Sequence, residues 1–260
     1  MKRLTTITKS IALVIITSLM MISCIPHKKL LILQGQSKED TTSQYKNDRS
    51  LTYRIQTGDN LFIRVISLDE KTAMMFNATG ESSNAYTTDA SIYLNSYTVS
   101  EIGNIEFPLV GQIFVQNLTV EEVKIKLQTI LDQYIKETVI IVKLVNFNLT
   151  ILGEVRSPGQ YKVYKTEINI LEAISMAGDM LDFANRNEVT IVRQTKAGTE
   201  THIVDLSSKD ILNSDYYYMK PNDILYIQPL KGKQFTFAEF PYAVIFSALS
   251  TLILLLSYIQ

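Results

Sequence analysis

Residues 53–65 read YRIQTGDNLFIRV, and residues 219–228 read MKPNDILYIQ. In the first stretch a polar turn, Thr57 to Asn60, separates two alternating runs and leaves Leu61, Ile63 and Val65 on one face, which predicts strand, tight turn, strand. Gly58 takes a positive φ at no steric cost, and the Asp59 carboxylate can accept backbone N–H bonds within the turn. The second stretch repeats the pattern, with Asn222 and Asp223 in place of Gly58 and Asp59. Two related units in one chain predict two domains.

Working outward, residues 67–98 are rich in Ser, Thr, Asn and Ala and predict a long loop with a short strand near Ala90–Leu94. Ser100 to Gly111 predicts a hairpin turn at Gly103-Asn104 and a strand ending at Pro108, with another strand over Gln112–Val115. Thr119 and Glu122 stand at capping-box spacing. The helix they open is expected to run to about Lys136 with Val123, Leu127, Ile130, Leu131 and Tyr134 on its buried stripe. Val139–Val145 is apolar and β-branched enough for a central strand. The second unit begins with a strand over Leu149–Val155, turns at Ser157-Pro158-Gly159 and resumes through Tyr164. Asn169 and Glu172 cap a short helix through Ala177, and Gly178 suits its C-terminal end. Strands follow over Glu188–Arg193, Glu200–Val204 and Ile224–Gln228.

The 260 residues allow one or two domains, and 46% hydrophobic with 20% charged residues excludes a disordered chain. With 25 basic against 26 acidic residues, nucleic acid is not an expected partner. Cys24 is the one cysteine, and His27 and His202 are the two histidines, so no intrachain disulfide forms and no metal site is expected. There is no P-loop, no G-x-S-x-G and no histidine pair, so the expectation is a non-enzyme with no catalytic residues and no cofactor. Glu121 with Glu122, and Asp205 with Asp210, read as solvated surface. Tyr216, Tyr217 and Tyr218 suit either sugar stacking or strand packing.

The two chain ends differ from the middle. Lys2, Arg3 and Lys9 precede an apolar stretch, Ile11 to Ile22, that stops at Ser23-Cys24, the layout of a secretory signal. An uncleaved inner-membrane anchor is the alternative, although the stretch falls short of ~20 residues. A lone cysteine closing the apolar region resembles a bacterial lipoprotein signal, which implies residues 1–23 as signal peptide and lipidation of Cys24. Met21 and Ile22 depart from the usual leucine and small residue, and a signal cut near an incidental cysteine is the other reading. Residues 24–50 would form a lipidated tether, with no fixed structure expected over 34–50. At the other end, Phe240 to Gln260 is uncharged and at 1.5 Å per residue would reach ~30 Å, so a C-terminal transmembrane helix is expected within residues 231–260. A buried core helix is the alternative. Ala243, Ser247, Ser250, Leu254 and Ser257 fall on one stripe, a helix-contact face or a lumen lining.

Taken in order, Tyr53–Val65, Ile102–Gly111 and the capped helix after Leu118 resemble the polysaccharide biosynthesis/export domain of capsule and exopolysaccharide translocons. Ile151–Tyr161, Asn169–Gly178 and Val189–Arg193 resemble the SLBB module that follows it. The resemblance implies an α+β chain with an export domain at 51–146, a β-grasp-like SLBB module at 147–230 and a C-terminal transmembrane α-helix. It further implies an outer-membrane lipoprotein whose body lies in the periplasm of a gram-negative cell. Its partners would be membrane lipid, a homo-oligomeric ring, the polysaccharide and an inner-membrane polysaccharide copolymerase, with the C-terminal helices closing a barrel around the exported polymer. Tyr53–Leu61 also resembles the opening of a LysM peptidoglycan-binding module, and a monomeric periplasmic glycan-binding lipoprotein without a pore is the alternative function.

Overall fold

Each of the two turn motifs leads into a strand of its own sheet, and each sheet closes its own hydrophobic core. The computed structural model describes residues 27–35, 45, 53–77, 88–195, 197–235 and 241–259. In the first unit β1 (Asn60–Ser67) pairs antiparallel with β2 (Tyr97–Thr98) on one side and with β5 (Thr138–Leu144) on the other. The β1–β5 ladder runs in unbroken register from Leu61↔Leu144 to Ser67↔Thr138. Side chains alternate across a strand, so Leu61, Ile63 and Val65 fall together into the core as expected. Helix α3 (Val120–Leu131) covers this core with Val123, Leu127 and Leu131. It starts at the expected capping box, in which Thr119 Oγ1 accepts from Glu122 N–H and the Glu122 carboxylate accepts from Thr119 N–H. The helix ends sooner than Lys136, at Leu131, and Tyr134 is exposed. Where a LysM module would turn into a helix, β1 continues as a strand to Ser67.

The second unit is a five-stranded sheet of order β7-β6-β10-β8-β9, formed by β6 (Asn148–Gly153), β7 (Gly159–Lys162), β8 (Ala184–Thr195), β9 (Gly198–Val204) and β10 (Ile224–Pro229). The last strand enters the middle, parallel to β6 and antiparallel to β8. Helix α4 (Ile170–Met176) carries the Asn169–Glu172 capping box, and Ile170, Ala173 and Ile174 are buried in the second core. Gly178 follows with φ 78°, the left-handed geometry that ends helices.

Several local expectations are corrected. The segment read as a strand near Ala90–Leu94 is a helix, α2 (Asp89–Leu94), because Thr88 and Ser91 form a reciprocal cap at its start. A further helix, α1 (Glu70–Met74), is capped by Asp69 in the stretch read as loop. The hairpin of β3 (Asn104–Phe107) and β4 (Gly111–Phe114) turns at residues 108–110, with Leu109 at φ 62°, and not at Gly103-Asn104, where β3 begins. Strand β5 lies at the edge of its sheet among the described residues and is covered by α3, so its apolar run reflects helix packing and not a central position.

The transmembrane part of the fold class is also corrected: among the described residues no helix is long and apolar enough to cross a membrane. Helix α5 spans Tyr242–Ile259, 18 residues. At 1.5 Å per residue that is about 27 Å, short of the ~30 Å hydrocarbon core. Phe240 and Gln260, which bounded the expected span, lie outside the described residues.

Candidate functional site

The two turns are built alike down to their hydrogen bonds. Gly58 (φ 85°) and Asn222 (φ 65°) both adopt left-handed backbone immediately before the aspartate. Asp59 Oδ2 accepts from the N–H of Gln56 at 2.8 Å, and Asp223 Oδ2 accepts from the N–H of Lys220 at 2.7 Å. Each backbone turn is closed by the aspartate N–H donating to the carbonyl three residues back, at 3.2 Å in both. The carboxylates are buried, at 3% exposure for Asp59 and 1% for Asp223, so each requires further partners.

Those partners differ in charge. The Tyr53 hydroxyl donates to Asp59 Oδ2 at 2.7 Å, and the Asn146 amide approaches Oδ1 at 3.5 Å. Burial, the largest effect, raises the Asp59 carboxyl above its ordinary value, and the bonds from Gln56, Tyr53 and Asn146 pull it down without cancelling that shift. Burial and the nearby Asp59 charge push the Tyr53 phenol well above its usual range. Asp223 instead meets a guanidinium: Arg193 Nε donates to Oδ1 at 2.9 Å and its terminal nitrogen to Oδ2 at 2.6 Å, a buried bidentate pair. Arg193 also lies 5.5 Å from the Tyr216 ring centroid, and Tyr216 stacks on His202 at 4.1 Å. Tyr216 and Tyr217 pack against the second core, and Tyr218 meets Tyr217 edge-on at 5.1 Å.

A cleft of about 440 Å³ separates the two turns, lined among others by Tyr53, Gly58, Asp59, Asn146, Arg193, Lys220 and Asn222. Burial, then the Arg193 charge, lowers the Lys220 ammonium below its ordinary value. Both carboxylates are occupied by donors that hold the turns, which suits them to structure and not to proton transfer. Among the described residues no group of three His, Cys, Asp or Glu is placed to hold a metal ion. Sequence reading found Gly58, Asp59, Asn222 and Asp223 from local pattern. It missed Asn146 and Arg193 as their partners, because Arg193 is 30 positions from Asp223 and Asn146 is 87 from Asp59, and it did not single out Tyr53 and Lys220, which lie within the two quoted stretches.

The other site residues are placed as follows. Cys24 lies outside the described residues. Ala243, Ser247, Ser250 and Leu254 lie on α5 and are exposed. The Ser247 hydroxyl donates to the Val244 carbonyl and that of Ser250 to the Ser247 carbonyl, both at 2.9 Å, so these hydroxyls are spent within the helix. Ser257 belongs to the same helix.

A family model described as polysaccharide biosynthesis/export protein matches residues 47–145, and one described as SLBB domain matches residues 148–227. The chain belongs to the polysaccharide biosynthesis/export protein family. The first turn therefore opens the export domain and the second closes the SLBB domain. Two curated relatives carry the name EPS I polysaccharide export outer membrane protein EpsA. That of Ralstonia nicotianae is 24% identical over 181 residues, 65% of this chain and 47% of that protein. That of Ralstonia solanacearum is 25% identical over 160 residues, 58% of this chain and 41% of that protein. The chain thus spans under half the length of either relative.

Proposed function

We propose that this chain is an outer-membrane lipoprotein with its body in the periplasm, anchored through Cys24, whose copies form a ring around a channel for exopolysaccharide or capsular polysaccharide. The observation that carries the reading is the tandem of an export domain followed directly by one SLBB domain. The names of the two relatives support export at the outer membrane. Energy for transport would come from an inner-membrane polysaccharide copolymerase. The stripe of Ala243, Ser247, Ser250, Leu254 and Ser257 is the proposed contact face between α5 helices of neighbouring copies. Large apolar side chains such as Val244 and Ile253 stand exposed on the single chain, which favours such a contact.

A second reading, a monomeric periplasmic glycan-binding lipoprotein without a pore, is favoured by the polar cleft between the domains. The mass of the detergent-solubilised protein separates the two. A ring several times the 29.5 kDa chain, with palmitate incorporation abolished by Cys24→Ala, is the expected result. A monomer overturns the ring, and labelling that persists in Cys24→Ala overturns the anchor.

A further inference from the structure

Residues 27–35, expected to belong to a loose tether, are strapped to the SLBB domain and not to the export domain that follows them in sequence. The segment opens with a 3-10 turn, His27–Leu30, that packs on β8. The Gln34 side-chain amide donates to the carbonyls of Lys28 (2.7 Å) and Leu31 (3.1 Å), folding the segment back on itself. Leu33 N–H donates to the Leu206 carbonyl at 3.0 Å, Gln34 N–H donates to the Ser207 carbonyl at 2.6 Å, and Gln34 makes a parallel bridge to Ser208. Leu33 has φ 54°, a left-handed backbone that is unfavourable for a side-chain-bearing residue. Packing of its side chain against the SLBB core offsets that cost. The Lys209 side chain lies across Gly35, where an added Cβ would stand 2.9 Å from Nζ.

This docking leaves two neighbouring apolar side chains outside, Leu31 at 40% and Ile32 at 41% exposure, beside the exposed Lys28. Only Ile25 and Pro26 separate His27 from Cys24. Three Cα steps of 3.8 Å span at most about 11 Å. A headgroup layer is itself about 5–8 Å deep on each side of the hydrocarbon. With a lipidated Cys24 held at the leaflet, the start of the strap lies within about 3–6 Å of the headgroup layer even when residues 24–27 are fully extended.

We infer that the strap is a membrane-contact element: it seats the SLBB domain on the lipid leaflet, with Leu31 and Ile32 entering the acyl boundary and Lys28 among the lipid phosphates. The inference rests on the lipidation of Cys24 proposed above. It makes the SLBB domain the membrane-proximal part of the body. The export domain, whose family match begins at residue 47, is not held to the leaflet by the strap.

The chain contains no tryptophan, so a single introduced indole reports its own surroundings. The lipidated full-length Ile32→Trp protein is reconstituted in vesicles of phosphatidylethanolamine and phosphatidylglycerol carrying brominated acyl chains. An Ile125→Trp protein, with the indole on exposed α3 of the export domain, serves as the reference. At an insertion depth of ~5–10 Å, Ile32→Trp loses roughly half its emission relative to unbrominated vesicles, and Ile125→Trp keeps its emission. Leu31→Trp gives the same readout should Ile32→Trp fail to fold. Unquenched emission at both strap positions in palmitate-labelled protein overturns the inference, whereas absence of palmitate from the parent chain overturns the anchoring reading on which it rests.

Discussion

Asp59 and Asp223 occupy matching places in matching turns, yet their replacement carries different penalties. Asp223→Ala strands the buried Arg193 guanidinium, and breaking such a pair costs about 3–5 kcal/mol. Asp59→Ala orphans the Gln56 N–H and the Tyr53 hydroxyl but no cation, which costs about 1–3 kcal/mol. Urea midpoints of the two variants should rank in that order, and equal losses would contradict the assigned partners. The pH dependence of Asp59 follows from the sign of its shift. Its folded pKa lies above the ordinary 3.8, so the folded chain holds this proton more tightly than the unfolded one. This group therefore adds stability as the pH falls through its folded value toward 3.8, and its ionised form subtracts stability at neutral pH. The turn itself was legible in the sequence because its bonds span three residues. The guanidinium that meets Asp223 and the amide that meets Asp59 were not, because Arg193 and Asn146 arrive from a distant strand and linker.

At the scale of elements, capping was the most reliable local signal. The boxes at Thr119–Glu122 and Asn169–Glu172 both formed, since reciprocal bonds within four residues need no tertiary help. The weaker Thr88–Ser91 box lacks the Glu or Gln that announces the motif, so the local pattern around Ala90–Leu94 points to a strand where the chain forms a helix. The central position of β10 was equally hidden, since its parallel partner β6 lies far upstream. That pairing carries a sharp prediction at Gly153, the last residue of β6. A Cβ there would stand 2.0 Å from the Ile227 carbonyl oxygen, on a backbone with φ 92°. Gly153→Ala is expected to destabilise the SLBB domain by at least about 1–3 kcal/mol, since the obstacle is backbone that must shift. Thermal unfolding of this variant beside Gly111→Ala, where φ is 89° and a Cβ meets nothing within 4 Å, isolates the steric part.

For the whole molecule, Leu144 packs against both cores, and polar contacts tie the domains together beside it. Asp89 on α2 of the export domain accepts from Lys162 at 3.0 Å and from the Tyr164 hydroxyl at 3.1 Å, both on the SLBB side. Asn146, in the segment joining the domains, accepts from Asn60 N–H at 3.2 Å, tying that segment to the start of β1. The Lys162 hydrogen bond, then that of Tyr164, holds the Asp89 carboxyl below its ordinary 3.8. A depressed carboxyl contributes fully above its unfolded value and loses that contribution as the pH falls through the folded one. The clasp should thus be constant from neutral pH down to about 4 and open in stronger acid. Asp89→Asn at neutral pH should accelerate amide hydrogen exchange over Asp89–Leu94 and Gly159–Lys162 together. Exchange confined to one side, or unchanged on both, would show that the clasp does not couple the domains.

The sequence by itself determined the two-unit organisation, the caps of α3 and α4, the buried face of β1 and the order of motifs that marks the family, because each depends on spacing within one stretch of chain. Tertiary structure alone decided that β10 enters the middle of its sheet, that Arg193 neutralises Asp223 and that Asp89 bridges the domains. It also decided that the N-terminal strap docks on the SLBB domain. These contacts join residues far apart in the chain, and the desolvation of buried charge and the packing of apolar surface that select them exist only once the chain has closed on itself.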